Sequence, residues 1–199
     1  MDLRLFDLHC DTPTELYGHC ASLDKNGQHV SLEKASAFSR YVQIMAIWSP
    51  WKMPDNVAFA NFHKVADYLM NEFERLEDKI SFVRTGEGLD KAASKQYTAL
   101  LAVEDARILA GVPERLRVLY ARGVRFLTAV WGGDSCIGGA HNTDTGLTDF
   151  GRRVIRDCFE MGITPDLSHA SVKTAADILE IASEYGKPVI ATHSDAYSV

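Results

Sequence analysis

Apolar and polar positions along this chain fall into blocks, and the spacing inside the blocks switches between that of buried strands and that of helical faces. Residues 3–8 form an apolar run that predicts a short buried strand, halted at His9-Cys10-Asp11-Thr12-Pro13, where Pro13 turns the chain or opens a helix. Tyr41–Trp48 predicts a second strand. From Phe59 onward, Phe59, Phe62, Ala66, Leu69, Phe73, Leu76 and Ile80 recur at steps of three and four, the mark of one helical face. Tyr97–Val103 predicts a third strand running into Glu104-Asp105. Pro113–Arg122 predicts a helix with Pro at its start and Gly123 after its end, and Val124–Val130 a fourth strand.

The segment from Trp131 to Gly146 is rich in Gly and Asp and reads as a loop of functional length. Thr148 and Gly162 bracket a helix over Asp149–Met161, Ile163–Leu167 predicts a fifth strand, Ser171 caps a helix reaching Tyr185, and 187–192 predicts a sixth strand. Apolar strands alternating with helices predict a parallel α/β sheet of about six strand units.

Composition narrows the classes. A chain of 199 residues can bury roughly 70% of its unfolded surface in one core. With 46% hydrophobic and 24% charged residues it is not disordered, collagenous or disulfide-dense. Acidic residues exceed basic ones, 27 to 21, and no basic run is present, so nucleic acid is not an expected partner. Charges at Asp2, Arg4 and Asp7 interrupt any signal-peptide core, and no stretch has the length of a membrane span. The expectation is a cytoplasmic protein without a membrane partner. Cys10, Cys20, Cys136 and Cys158 form no C-x-x-C pair and are read as reduced.

The candidate chemistry lies at strand ends. His9 and Asp11, two apart in an extended segment, would present both side chains on one face. Glu104 follows a buried run, where a carboxylate must be paired, solvated or on a metal. His169 and His193 follow the fifth and sixth strands. Each alone has an ordinary reading, a solvated acid or a structural histidine. Together they sit at the C-terminal ends of four strands, the face where parallel α/β proteins place their sites. Three imidazoles and two carboxylates suit zinc or a similar divalent ion, and one carboxylate can bridge two ions, which points to hydrolysis. His141 belongs to the loop on that face and is a candidate substrate contact. Asp7 and Asp166 either orient imidazoles or make structural hydrogen bonds. His19, His29 and His63 read as surface or packing residues.

The segments Asp7-Leu8-His9-Cys10-Asp11-Thr12, Gly146-Leu147-Thr148-Asp149-Phe150-Gly151, Asp166-Leu167-Ser168-His169-Ala170-Ser171 and Pro188-Val189-Ile190-Ala191-Thr192-His193-Ser194 resemble, in order, those of the membrane dipeptidase family of zinc hydrolases, peptidase family M19. The resemblance implies a (β/α)₈ TIM-barrel fold with about six of its eight strands in residues 1–199, read as a single catalytic barrel domain incomplete at its C-terminus. It implies two zinc ions per active site, one on His9 and Asp11, the other on His169 and His193, with Glu104 bridging. The implied activity is dipeptide hydrolysis through a metal-bridged hydroxide, with tolerance of a D-residue at the C-terminal position.

The chain departs from the family pattern where Asp105 replaces the usual Gly after Glu104. It departs again where Trp131 follows the fourth strand in place of the substrate-contacting His of mammalian members. Trp131 is therefore read as a substrate-binding residue that walls the pocket. The family's proton-transfer Asp and substrate-binding Arg are expected beyond Val199. Two alternatives stand beside this reading: a metal-dependent amidohydrolase of cyclic amides or lactones, and a truncated chain that binds metal without turnover. Homo-oligomerisation is left open.

Overall fold

Strand and helix alternate much as the hydrophobic pattern predicts. The computed structural model describes residues 2–194. They divide into two units, one made of the chain up to Trp48 with Ala60–Ala102, the other of Ser49–Phe59 with the chain from Val103 onward.

In the first unit β1 (Arg4–Asp7) leads through α1 (Thr12–His19) and the short α2 (Leu32–Ala35) to β2 (Arg40–Ile47), and β1 and β2 pair in parallel with Asp7 opposite Gln43. α3 (Asp55–Arg75), β3 (Ile80–Phe82) and α4 (Gly86–Lys91) precede β4 (Tyr97–Glu104), and β3 pairs with β4 in parallel. The strand order within this unit is β1-β2-β4-β3. Every residue of β4 is buried, as expected of a parallel strand covered on both faces. Leu16, Ile44, Phe62, Val65, Leu69 and Leu101 form the fully buried centre.

Two expectations are corrected here. The apolar run at 3–8 predicts a buried strand, yet β1 is the edge of the order, with Leu5 and Phe6 37% and 47% exposed. An edge strand has a sheet neighbour on one side only. The helical face expected to reach Ile80 ends at Arg75. The amide of Ile80 still donates to the Leu76 carbonyl (3.0 Å) in a turn, and β3 then begins. An apolar residue four positions on suits either the last turn of a helix or the first position of a buried strand.

In the second unit α5 (Glu114–Ala121) packs on β5 (Val124–Thr128), and α6 (Asp149–Met161) on β6 (Thr164–Asp166) and on α7 (Val172–Tyr185). β5 and β6 are parallel, with Thr128 opposite Asp166. The helix caps fall where the sequence predicts them: Thr148 accepts from the Gly151 amide, Ser171 accepts from the Thr174 amide, and Gly162 ends α6 at φ 80°. A Cβ on Gly151 would lie 1.9 Å from the Ile137 carbonyl oxygen, so the glycine of this motif lets the first turn of α6 press against the loop. The sixth strand expected over 187–192 is reduced to a single parallel bridge between Ile190 and Asp166. Pro188 has no N–H to extend a ladder. Six strands are nonetheless present among the described residues, because β3 is one that the hydrophobic pattern does not predict. Among the described residues no helix is long and apolar enough to cross a membrane.

Candidate metal centre

In the second unit three of the predicted ligands converge. Glu104 closes β4, and its side chain is 5% exposed. Its Oε1 lies 2.9 Å from His169 Nε2 and 3.5 Å from His193 Nε2, and the two Nε2 atoms are 2.8 Å apart. Two imidazole nitrogens facing each other beside a buried carboxylate need a shared proton or a shared cation. Zinc bonds of about 2.0–2.2 Å in tetrahedral geometry hold neighbouring ligand atoms roughly 3.3 Å apart. The observed separations bracket that value, so the donor set of two imidazoles and a carboxylate fits a zinc ion.

The surroundings fix the orientation of these ligands. Asp166, 1% exposed, receives the hydroxyls of Thr128 (2.8 Å), Ser168 (2.8 Å) and Thr192 (2.7 Å) and the amides of Ser168 and Thr192 (3.0 Å each). It touches no imidazole; it holds the two turns that carry His169 and His193. Because the Thr192 hydroxyl gives its proton to Asp166, its oxygen accepts at 2.8 Å from His193 Nδ1–H, which leaves Nε2 with the lone pair a metal needs. His169 has φ 65°, a left-handed conformation uncommon outside glycine, and its carbonyl accepts from the His141 amide at 2.7 Å.

Asp105, expected to depart from a family glycine, adopts positive φ (79°), a region that favours glycine. Its buried carboxylate is gripped by Arg107, through Nε at 2.8 Å and the amide at 3.1 Å. Burial pushes this carboxyl up to about 6 against the pull of Arg107.

Trp131 and His141 flank His169, with ring centroids 6.0 and 5.9 Å from its own. Both are exposed.

In the first unit His9 Nε2 lies 3.3 Å from Asp11 Oδ1. They meet for a reason other than the expected one. β1 ends at Asp7, and Asp11 (φ −84°, ψ 3°) is the residue that opens α1, so a turn and not the period of a strand brings them together. The Cys10 carbonyl between them is tied to the Ala46 amide of β2 at 2.9 Å, and the His9 amide to Asp7 Oδ1 at 3.2 Å. Burial pushes the Cys10 thiol up to about 12, keeping it protonated. A cavity of about 310 Å³ lies against Asp7, His9, Asp11, Glu15 and His29. The sequence reads His29 as a surface or packing residue, because no periodic segment or strand end places it at this cavity.

Comparison with known proteins gives the chain a family. A family model, Membrane dipeptidase (Peptidase family M19), matches residues 1–199. Dipeptidase verJ of Clonostachys rogersoniana is 30% identical over 138 residues, 67% of this chain but 35% of its own length. The chain therefore spans about a third of that curated relative. Among solved structures, a metallo peptidase from Rhodobacter sphaeroides, liganded with a phosphinate mimic of the dipeptide L-Ala-D-Ala, superposes with a TM-score of 0.88 at 22% identity, covering 100% of this chain and 67% of the other. Dipeptidase AC, a metallo peptidase of family M19, gives a TM-score of 0.86 at 23% identity over 100% of this chain and 65% of its own. At these identities the likeness speaks for the fold alone, an α/β chain of the (β/α)₈ type carrying part of the barrel.

Proposed function

Since the chain belongs to the membrane dipeptidase family, peptidase family M19, we propose that it carries metal-binding residues of a zinc-dependent dipeptidase. The observation that carries this reading is the meeting of the buried Glu104 carboxylate with the His169 and His193 imidazoles around one point. Glu104, His169 and His193 hold one zinc ion, and His9 with Asp11 supplies ligands for a second. Zinc bound there would supply Lewis acidity, acidifying a water and polarising the scissile carbonyl. The chain's own residues do the rest. Asp166 and Thr192 hold the His193 proton on Nδ1, the buried Glu104 balances charge, and Trp131 and His141 border the face from which a dipeptide reaches His169.

The substrate class is supported by the dipeptide mimic bound to the Rhodobacter relative. The test is a panel assay on the full-length protein, with and without chelator. Hydrolysis of L-Ala-D-Ala and L-Ala-L-Ala, abolished by chelation and restored by zinc, is expected. Hydrolysis confined to cyclic amides or lactones would replace the reading with an amidohydrolase, and zinc uptake without any turnover would reduce it to metal binding.

A further inference from the structure

The segment between β2 and α3, Ser49-Pro50-Trp51-Lys52-Met53-Pro54, holds no predicted site residue, yet it is anchored unusually firmly. Arg107, 5% exposed, is spent almost wholly on it. Its Nη1 donates to the Met53 carbonyl (2.8 Å) and to Asp55 Oδ1 (2.7 Å), and its Nη2 to the carbonyls of Pro50 (3.0 Å) and Ser49 (3.4 Å). Its Nε is taken by Asp105, the residue after the metal-centre carboxylate Glu104. A planar guanidinium with every nitrogen engaged fixes the backbone on both sides of Trp51.

What the segment presents is the Trp51 indole, 48% exposed. The ring lies on the backbone of Gly132 and Gly133. A Cβ on Gly133 would stand 2.8 Å from Trp51 Cη2, and Gly133 has φ 65°, so both space and conformation require glycine there. Trp51 and Trp131 pack at 6.0 Å between centroids with a 40° tilt, and Trp131 continues at 6.0 Å to the ring of His169. The outcome is a row of rings, Trp51, Trp131, His169, whose last member is a metal-centre ligand and whose first two leave large apolar surface in water. An indole needed only for packing would be covered. One held rigid and half bare beside a reaction centre is preorganised for a ligand.

We propose that Trp51 is a specificity-determining residue, forming with Trp131 an aromatic wall that receives an apolar, preferentially aromatic, side chain of the dipeptide, with Arg107 as its positioning residue. The proposal rests on the dipeptidase reading for the identity of the substrate. Its wall geometry stands on the second unit alone.

The experiment compares wild type, Trp51→Ala, Trp51→Phe and Gly133→Ala in the full-length zinc-loaded protein, using kcat/KM for Ala-Phe and Ala-Gly. Because one ring of the wall is lost, the preference for Ala-Phe over Ala-Gly should fall about 2- to 12-fold in Trp51→Ala, carried by KM. Trp51→Phe should retain most of it. Gly133→Ala, which displaces the ring without removing it, should lose it as well. A preference unchanged in Trp51→Ala, with metal content intact, overturns the proposal. If wild type cleaves no dipeptide, the dipeptidase reading fails separately, and binding decides the wall. Ala-Phe should then still change tryptophan fluorescence in wild type, and with weaker affinity in Trp51→Ala; no change in wild type, or equal affinity in the two, overturns the proposal too.

Discussion

Glu104→Gln should lose zinc from the centre formed with His169 and His193 and lower dipeptide kcat/KM by about a thousandfold, the several kcal/mol that a metal's charge stabilisation represents. The carboxylate is buried, with its Oε1 within 3.5 Å of both imidazole nitrogens. The amide removes the negative charge and presents either a weaker acceptor or N–H donors to the ion. The fold should survive, because glutamine keeps the shape of the side chain and an oxygen that can still accept from His169 Nε2. The two effects separate in thermal melts. Without metal, Glu104→Gln should melt close to the wild-type temperature. With zinc, wild type should rise and Glu104→Gln should not, because only binding to the native state adds stability. Equal zinc content by elemental analysis in the two proteins would remove Glu104 from the site.

Asp166→Asn should weaken zinc binding about 10- to 100-fold although Asp166 touches no ligand, the range seen when outer partners of metal ligands are removed. The reason is the polarity of one chain of hydrogen bonds. In the native protein Thr192 donates to Asp166 Oδ2 and accepts from His193 Nδ1–H. An asparagine that keeps its oxygen toward the Ser168 and Thr192 amides must turn its NH₂ toward the Thr128 and Thr192 hydroxyls. Thr192 then accepts from that NH₂ and donates to His193 Nδ1, which drives the His193 proton to Nε2, the atom the metal needs. The tautomer is readable in the imidazole nitrogen shifts. Weakened zinc affinity with a shifted tautomer is the expected pair. Native affinity and an unmoved His193 proton would show that Asp166 acts only in folding.

Much of this was legible in sequence because it depends on periodicity and on local caps. α6 and α7 begin at Thr148 and Ser171 and end at glycines, and the cap geometry there is a property of a few adjacent residues. What was missed depends on tertiary context. β3 was hidden because Ile80 continues the spacing of α3, and the exposure of β1 because an apolar run does not state how many neighbours its strand has. The period of a strand is not what joins His9 to Asp11, since a turn into α1 and a continuing strand can place the same two side chains together. The roles of Arg107 and Trp51 had no sequence signal at all. Both are made by contacts between residues more than fifty positions apart, and neither belongs to a periodic segment.

Anomalous diffraction at the zinc edge from crystals of the full-length zinc-loaded protein tests the metal centre most directly. The expected result is a peak about 2.0–2.2 Å from His169 Nε2, His193 Nε2 and a Glu104 oxygen. Zinc bound elsewhere, with those three atoms closed on one another by a proton alone, would contradict it.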